Sequence, residues 1–320
     1  MPNSLELRTL PTAAIRTGGG HLFWAADPTP ELTKSLHCAG QTAPVLVRET
    51  GNGPELVAGH ARLEALRALD LPVLARTVEA ATPLDAGLLY LADNAARPLD
   101  DALRLAALRF FAPLMDREAL ARDLLPRLGV RPGSKDARLL AAWLALAEPW
   151  PSHLAEGRIP LAAGEILARM APADRNAVAP LFAALSWSRS NAVNLLAWLF
   201  EAGKMTGAPL AEVVERAGLG EAPASGLSPK DTMARIVALA RQARYPSLSA
   251  LQAEFGGAAR EIAAGTAWRV TQPDHFETGG VELTIQVKTP TQLAKAVDDL
   301  RAMAGQPAWA TLWNLGGSRD

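Results

Sequence analysis

Val57-Ala58-Gly59-His60-Ala61-Arg62-Leu63-Glu64-Ala65 decides how the first third of this chain folds. The run Glu55-Leu56-Val57-Ala58 reads as a short strand, and Leu63 to Leu69 reads as the body of a helix. A glycine at that junction permits close backbone approach, and the first helical N–H groups then point outward without intrahelical acceptors. Arg62 adds a cation one turn in, which makes the corner a seat for a phosphate or another anion. A strand–glycine–helix junction is also what an ordinary tight turn looks like, so its meaning comes from what flanks it.

Working outward, Leu5 to Leu10 alternates with period two, as a half-buried strand does. Asp27-Pro28 supplies a helix start, with Leu32, Leu36 and Ala39 on one face. Pro44 to Arg48 is a second strand, Gly51-Asn52-Gly53 a hairpin turn, and Glu55 to Ala58 the third strand. Pro72 to Val78 is a fourth strand, and a helix from about Pro83 to Ala96 closes a small α/β unit over 1–98.

From 99 to 203 the pattern is helical. Arg117–Leu128 and Ser134–Leu146, joined through Gly129-Val130, have the spacing of a helix-turn-helix, with Ser134 as cap. Lys135 and Arg138 on its second helix, with Arg131 in the turn, are the candidate DNA-phosphate contacts. Residues 101–150 hold eight Lys/Arg against six Asp/Glu, a small excess, so a packing role for the pair stands beside the DNA-binding one. Residues 204–228, rich in Gly, Pro and Ala, read as a linker. A separate α+β unit follows over 229–320: helices at 229–244 and 249–264, strands at 267–271 and 281–288, and a helix from Pro290 to Ala304 capped by Thr289. The fold class is therefore α+β and mainly helical overall.

The chain has 320 residues, 49% apolar and 20% charged, with a formal net charge of −1. These values describe a globular protein with room for two or three cores, not a polycation that coats nucleic acid. The single cysteine, Cys38, excludes an internal disulfide and a multi-cysteine metal site. With no leader pattern and no run of eighteen apolar residues, the expected compartment is the cytoplasm, with no membrane partner. Trp143, Trp150, Trp187 and Trp198 sit in apolar helical surroundings and read as core. Trp309 and Trp313 either anchor a partner or dock on their own unit, and docking is the simpler expectation.

Three blocks, in order, resemble the ParB family of chromosome and plasmid partitioning proteins, whose amino-terminal domain shares its fold with sulfiredoxin. They are Ser35 to Gly40 followed by Pro44 to Arg48, then Val57 to Ala65, then Asp93-Asn94-Ala95-Ala96-Arg97. The helix-turn-helix falls where that family places its DNA-reading element, and Pro149 to Leu167 is similar to the segment after it. The likeness spans about 180 residues.

The resemblance implies a domain that binds CTP with magnesium. By position, Gly59, His60 and Arg62 would meet phosphates, Asp93 and Asn94 would face phosphates and metal, with Asn94 the magnesium ligand, and Arg97 would support them. It further implies a DNA partner, a homodimer, nucleoid association and at most weak CTPase activity. The carboxyl-terminal unit is expected to serve dimerisation or to bind an unknown protein partner.

The chain departs from the family pattern where it counts. His60 stands for the family's glutamate, Ala61 and Glu64 for arginines, and Ala43 for a glutamine. Each lost charged contact costs about 1.5–3 kcal/mol of binding. The loop cysteine that sulfiredoxin chemistry needs is absent. Two other functions therefore stand beside the switch: an adaptor that kept the fold and works through protein contacts, and a small-molecule phosphotransferase on the same fold.

Overall fold

The structure, a computed structural model, describes residues 7–224, 226–273, 276 and 280–315. It divides into two compact units, 1–196 and 197–320. The boundary falls inside a helix rather than at 203.

The first unit opens on a four-stranded mixed sheet of order β1-β4-β2-β3. Its strands are β1 (Leu7–Leu10), β2 (Val45–Thr50), β3 (Gly53–Ala58) and β4 (Val73–Thr77). Leu5 and Glu6, read as the start of the first strand, lie outside the described residues. β2 and β3 form a hairpin through Gly51-Asn52, with Gly53 at φ +92° and the Thr50 hydroxyl donating to Gly53 O at 2.6 Å. β2 and β4 are parallel, and β1 closes the far edge antiparallel to β4. Val45, Val47, Leu56, Val57, Val73 and Ala75 are buried in this sheet.

Helices α1 (Pro30–Ala39), α2 (His60–Ala68) and α3 (Pro83–Asp93) belong to the same unit. The start of α1 corrects the sequence reading: Thr29, not Asp27, is the cap, its hydroxyl accepting the Leu32 N–H at 3.2 Å. Pro30, not Pro28, takes the first helical position, where its fixed φ suits the helix and its missing N–H costs nothing. α3 starts on a full capping box between Thr82 and Asp85. It ends at Asp93 rather than Ala96.

The helical part begins with α4 (Asp101–Phe111), which lies against α3 where a side chain on Gly87 would fall 2.3 Å from Phe110. The first member of the expected helix-turn-helix is not a regular helix. A short α-helical turn, α5 (Arg117–Ala119), passes into a π turn over Leu120–Leu124 and a 3₁₀ turn over Leu125–Leu128, where Pro126 lacks the N–H that α-helix requires. The second member, α6 (Lys135–Leu144), is regular and capped by Ser134, which accepts the Ala137 N–H at 3.2 Å. α7 (Trp150–Ala155), α8 (Gly164–Leu167) and α9 (Pro172–Val178) complete the bundle. Its core holds Phe111, Trp143, Trp150, Phe182 and Trp187, while Trp198 is half-buried.

Helix α10 (Arg189–Thr206) carries the boundary between the units. The stretch 204–228 is no loose connector. It contains the end of α10 and helix α11 (Leu210–Arg216), and it buries Leu210, Val213, Leu219 and Ala222. α12 (Pro229–Arg244) and α13 (Pro246–Ile262) follow, α13 starting three residues earlier than expected. The expected strands are shorter: β5 (Arg269–Thr271) pairs antiparallel with β6 (Glu282–Thr284). α14 (Pro290–Ala304) and α15 (Trp309–Leu315) end the unit around Phe255, Ile262, Val270, Met303 and Leu312. Trp309 docks on its own unit, its indole N–H donating to Met303 O at 2.8 Å, and Trp313 stacks on it at 5.5 Å.

Candidate functional site

The start of α2 is built by Gly59. Its φ of +94° lies in the left-handed region, and a Cβ there would come within 2.9 Å of Val45 Cγ1 and 3.3 Å of Val45 Cα. Both demands select glycine. No side chain caps the helix, and the first intrahelical bond is Leu63 N–H to Gly59 O at 3.0 Å. The N–H groups of His60, Ala61 and Arg62 therefore stand before the ladder begins, at the positive end of the helix dipole.

Arg62 is half-buried and makes three hydrogen bonds within the chain. Its guanidinium donates to Pro44 O at 2.7 Å, to Ala43 O at 3.2 Å and to Asp93 Oδ2 at 3.1 Å. It thereby ties the α2 corner to the end of α3. Arg97 donates to Trp24 O at 2.9 Å and lies over the Trp24 ring. The Asn94 amide donates to Tyr90 O at 2.9 Å, which leaves its side-chain carbonyl without a partner among the described residues. His60 Nδ1 lies 3.3 Å from Ala26 O. Burial pushes the Tyr90 phenol above its ordinary range, against the opposing pull of Arg97.

Gly59, His60, Arg62, Asp93, Asn94 and Arg97 all line one cavity of about 380 Å³. Three segments far apart in sequence meet there: the loop leading into α1 with the α1 start, the α2 start, and the α3 end with the residues after it. Glu64, the carboxylate expected to repel an anion, is not among the lining residues. Arg67 holds it at 2.6 Å and is itself anchored on Thr12 O and Ile15 O.

The donor set fits magnesium only in part. Among the described residues no three His, Cys, Asp or Glu converge. The Asp93 carboxylate and the Asn94 carbonyl supply two oxygens, too few for a cation cage but enough for a magnesium ion that keeps waters and phosphate oxygens as its other ligands.

Arg131, Lys135 and Arg138 are exposed around the α6 start, and none makes an ion pair among the described residues. They share that face with the carboxylate of Asp136. Among the described residues, no helix is long and apolar enough to cross a membrane.

Sequence reasoning missed Trp24, Thr29 and Tyr90, which line the same cavity. It also missed a largely buried polar set on β2 and β3 with the nearby His21. Arg48 donates to both oxygens of Glu55 at 3.2 Å, and His21 lies 2.8 Å from Leu56 O, with burial lowering its pKa. The Arg48–Glu55 pair was recoverable, because a two-residue turn at Gly51-Asn52 sets those positions opposite each other. Trp24 and His21 sit in a loop whose course no periodicity reveals.

No family model matches the chain, and no curated protein matches it. Two of the solved structures similar to it are forms of one protein. One is the C-terminally truncated chromosome-partitioning protein ParB from Caulobacter crescentus complexed with CTP-gamma-S, at 20% identity over 55% of this chain and 98% of that one, with a TM-score of 0.26. The other is the same truncated protein complexed to the centromeric parS site, at 17% identity over 73% of this chain and 99% of that one, with a TM-score of 0.36.

Proposed function

We propose that the cavity at the α2 start is a nucleotide-phosphate site, and that the chain is a divergent ParB-like, DNA-associated protein switched by CTP with magnesium. The observation that carries the reading is the convergence of Gly59, His60, Arg62, Asp93, Asn94 and Arg97 on one 380 Å³ cavity at an uncapped helix N-terminus. Such an end offers backbone donors and a favourable dipole to an anion. Arg62 and Arg97 would supply the fixed positive charge, and Asp93 with Asn94 would hold magnesium alongside the phosphates. The bound nucleotide would supply a charge that pulls the α2 corner and the end of α3 together. Arg131, Lys135 and Arg138 would then meet DNA phosphates, in partitioning or in regulating transcription. The carboxyl-terminal unit would give a homodimer or bind a protein partner. Chemistry on a substrate is no part of this reading beyond weak CTP hydrolysis.

One observation favours the adaptor. Arg62 already holds two carbonyls and a carboxylate, the behaviour of a structural tie. A thermal-shift series with each nucleoside triphosphate and magnesium, on wild type and Arg62→Ala, separates the readings. A ligand at a hundred times its Kd stabilises by about 2.7 kcal/mol. The switch predicts a shift with CTP that Arg62→Ala abolishes. A shift with ATP instead would favour the phosphotransferase, and no shift up to millimolar ligand would leave the adaptor.

A further inference from the structure

A groove of about 650 Å³ runs between β5 and α13. Arg269, Val270, Thr271 and Gln272 line one side, and Phe255 and Arg260 stand on the other. Successive side chains of a strand point to opposite faces. Consecutive residues from β5 onward can therefore line one groove only if the groove follows the strand's edge. Among the described residues β5 has one strand neighbour, β6, and no β6 residue lines the groove. Among the described residues the β5 edge facing α13 is thus without a strand partner, and such an edge is a template for another extended chain.

The walls state what kind of chain. Val270 and Phe255 are buried apolar surface at the floor. Arg260 and Arg269 provide two positive charges, and among the described residues no Asp or Glu lines the groove. We propose that this groove takes up an extended acidic peptide segment of a partner protein, which adds a third strand to β5. Alternate side chains of that segment would rest on the Val270–Phe255 floor, and its carboxylates would meet Arg260 and Arg269. A two-stranded sheet is marginal by itself and gains from a third strand.

Nucleic acid fits the groove less well. The Phe255 ring is buried, and the Trp268 indole is held by its N–H bond to Ala296 O at 3.0 Å, so neither ring stands free to stack on bases. Two cations are also few for a phosphate backbone. The inference does not depend on the anion cavity near α2.

The test uses the full chain and fluorescence anisotropy, with fluorescein-labelled decapeptides of alternating glutamate and valine, serine and valine, or lysine and valine, and a labelled single-stranded thymidine oligonucleotide. The glutamate peptide should bind best, more weakly as salt rises. Arg260→Glu and Arg269→Glu should each weaken it by at least about fivefold with the melting temperature unchanged. Hydrogen exchange on the wild type should show β5 amides between Arg269 and Thr271 slowing when that peptide binds, a readout that needs no variant. Equal binding of the serine or lysine peptide would overturn the acidic class. Binding of the oligonucleotide alone would make this a nucleic-acid groove, and no binding by any probe at millimolar concentration would remove the site.

Discussion

Gly59 bears the whole corner of the candidate site. A side chain there must adopt the left-handed conformation and push into Val45, so Gly59→Ala should lose about 2 kcal/mol or more of stability in urea unfolding. A loss below about 0.5 kcal/mol would mean that the backbone at this junction relaxes. The residue-level pattern was legible, because glycine between an apolar strand and a helix has few physical uses. The partners of Arg62 were not. Sequence placed it in the first turn, but its two carbonyl acceptors lie 18 and 19 positions away and its carboxylate 31 positions away. Those distances close only in the folded unit.

At the scale of elements, local signals were read well where capping chemistry is self-contained. The Ser134 and Thr289 caps each accept the N–H three residues on, as short-range rules require. They failed at 117–128, where a helical period conceals a change of winding before Pro126. They also failed at 204–228, where a Gly- and Pro-rich composition conceals a helix held by Leu210 and Val213. The α6 start offers three exposed cations. If each meets one DNA phosphate, log K against log salt should fall with a slope of about −2.7 on duplex DNA. Replacing Lys135 and Arg138 by glutamate should bring that slope close to −1 in an anisotropy titration. An unchanged slope would place DNA binding elsewhere or nowhere.

For the molecule as a whole, acid should act on the first unit through two buried histidines. His21 and His153 are both lowered by burial from an ordinary value of 6.5. Arg48 adds to the lowering at His21, and the neighbouring Glu55 opposes it. Arg158 does the same at His153, opposed by Glu156 and Glu148. The unfolded chain therefore takes up protons first, near pH 6.5, while the folded chain resists until lower pH. Stability is complete above that value and falls as pH drops through it, by at most about 1.4 kcal/mol per pH unit for each histidine. Urea midpoints at pH 7.5, 6.5 and 5.5 should show the decline, and His21→Gln should make it shallower. An unchanged slope would mean that His21 stays protonated or neutral alike in both states.

Making the sheet has a cost in time. The β2–β3 hairpin can close within microseconds of its own synthesis. β1 cannot, because its partner is β4, and Leu7 pairs with Arg76, 69 positions later (76 − 7). At about 5–20 residues per second on the ribosome, that wait lasts roughly 3–14 s. Throughout it β1 waits for β4, and its apolar Leu7 is open to chaperones or to other chains.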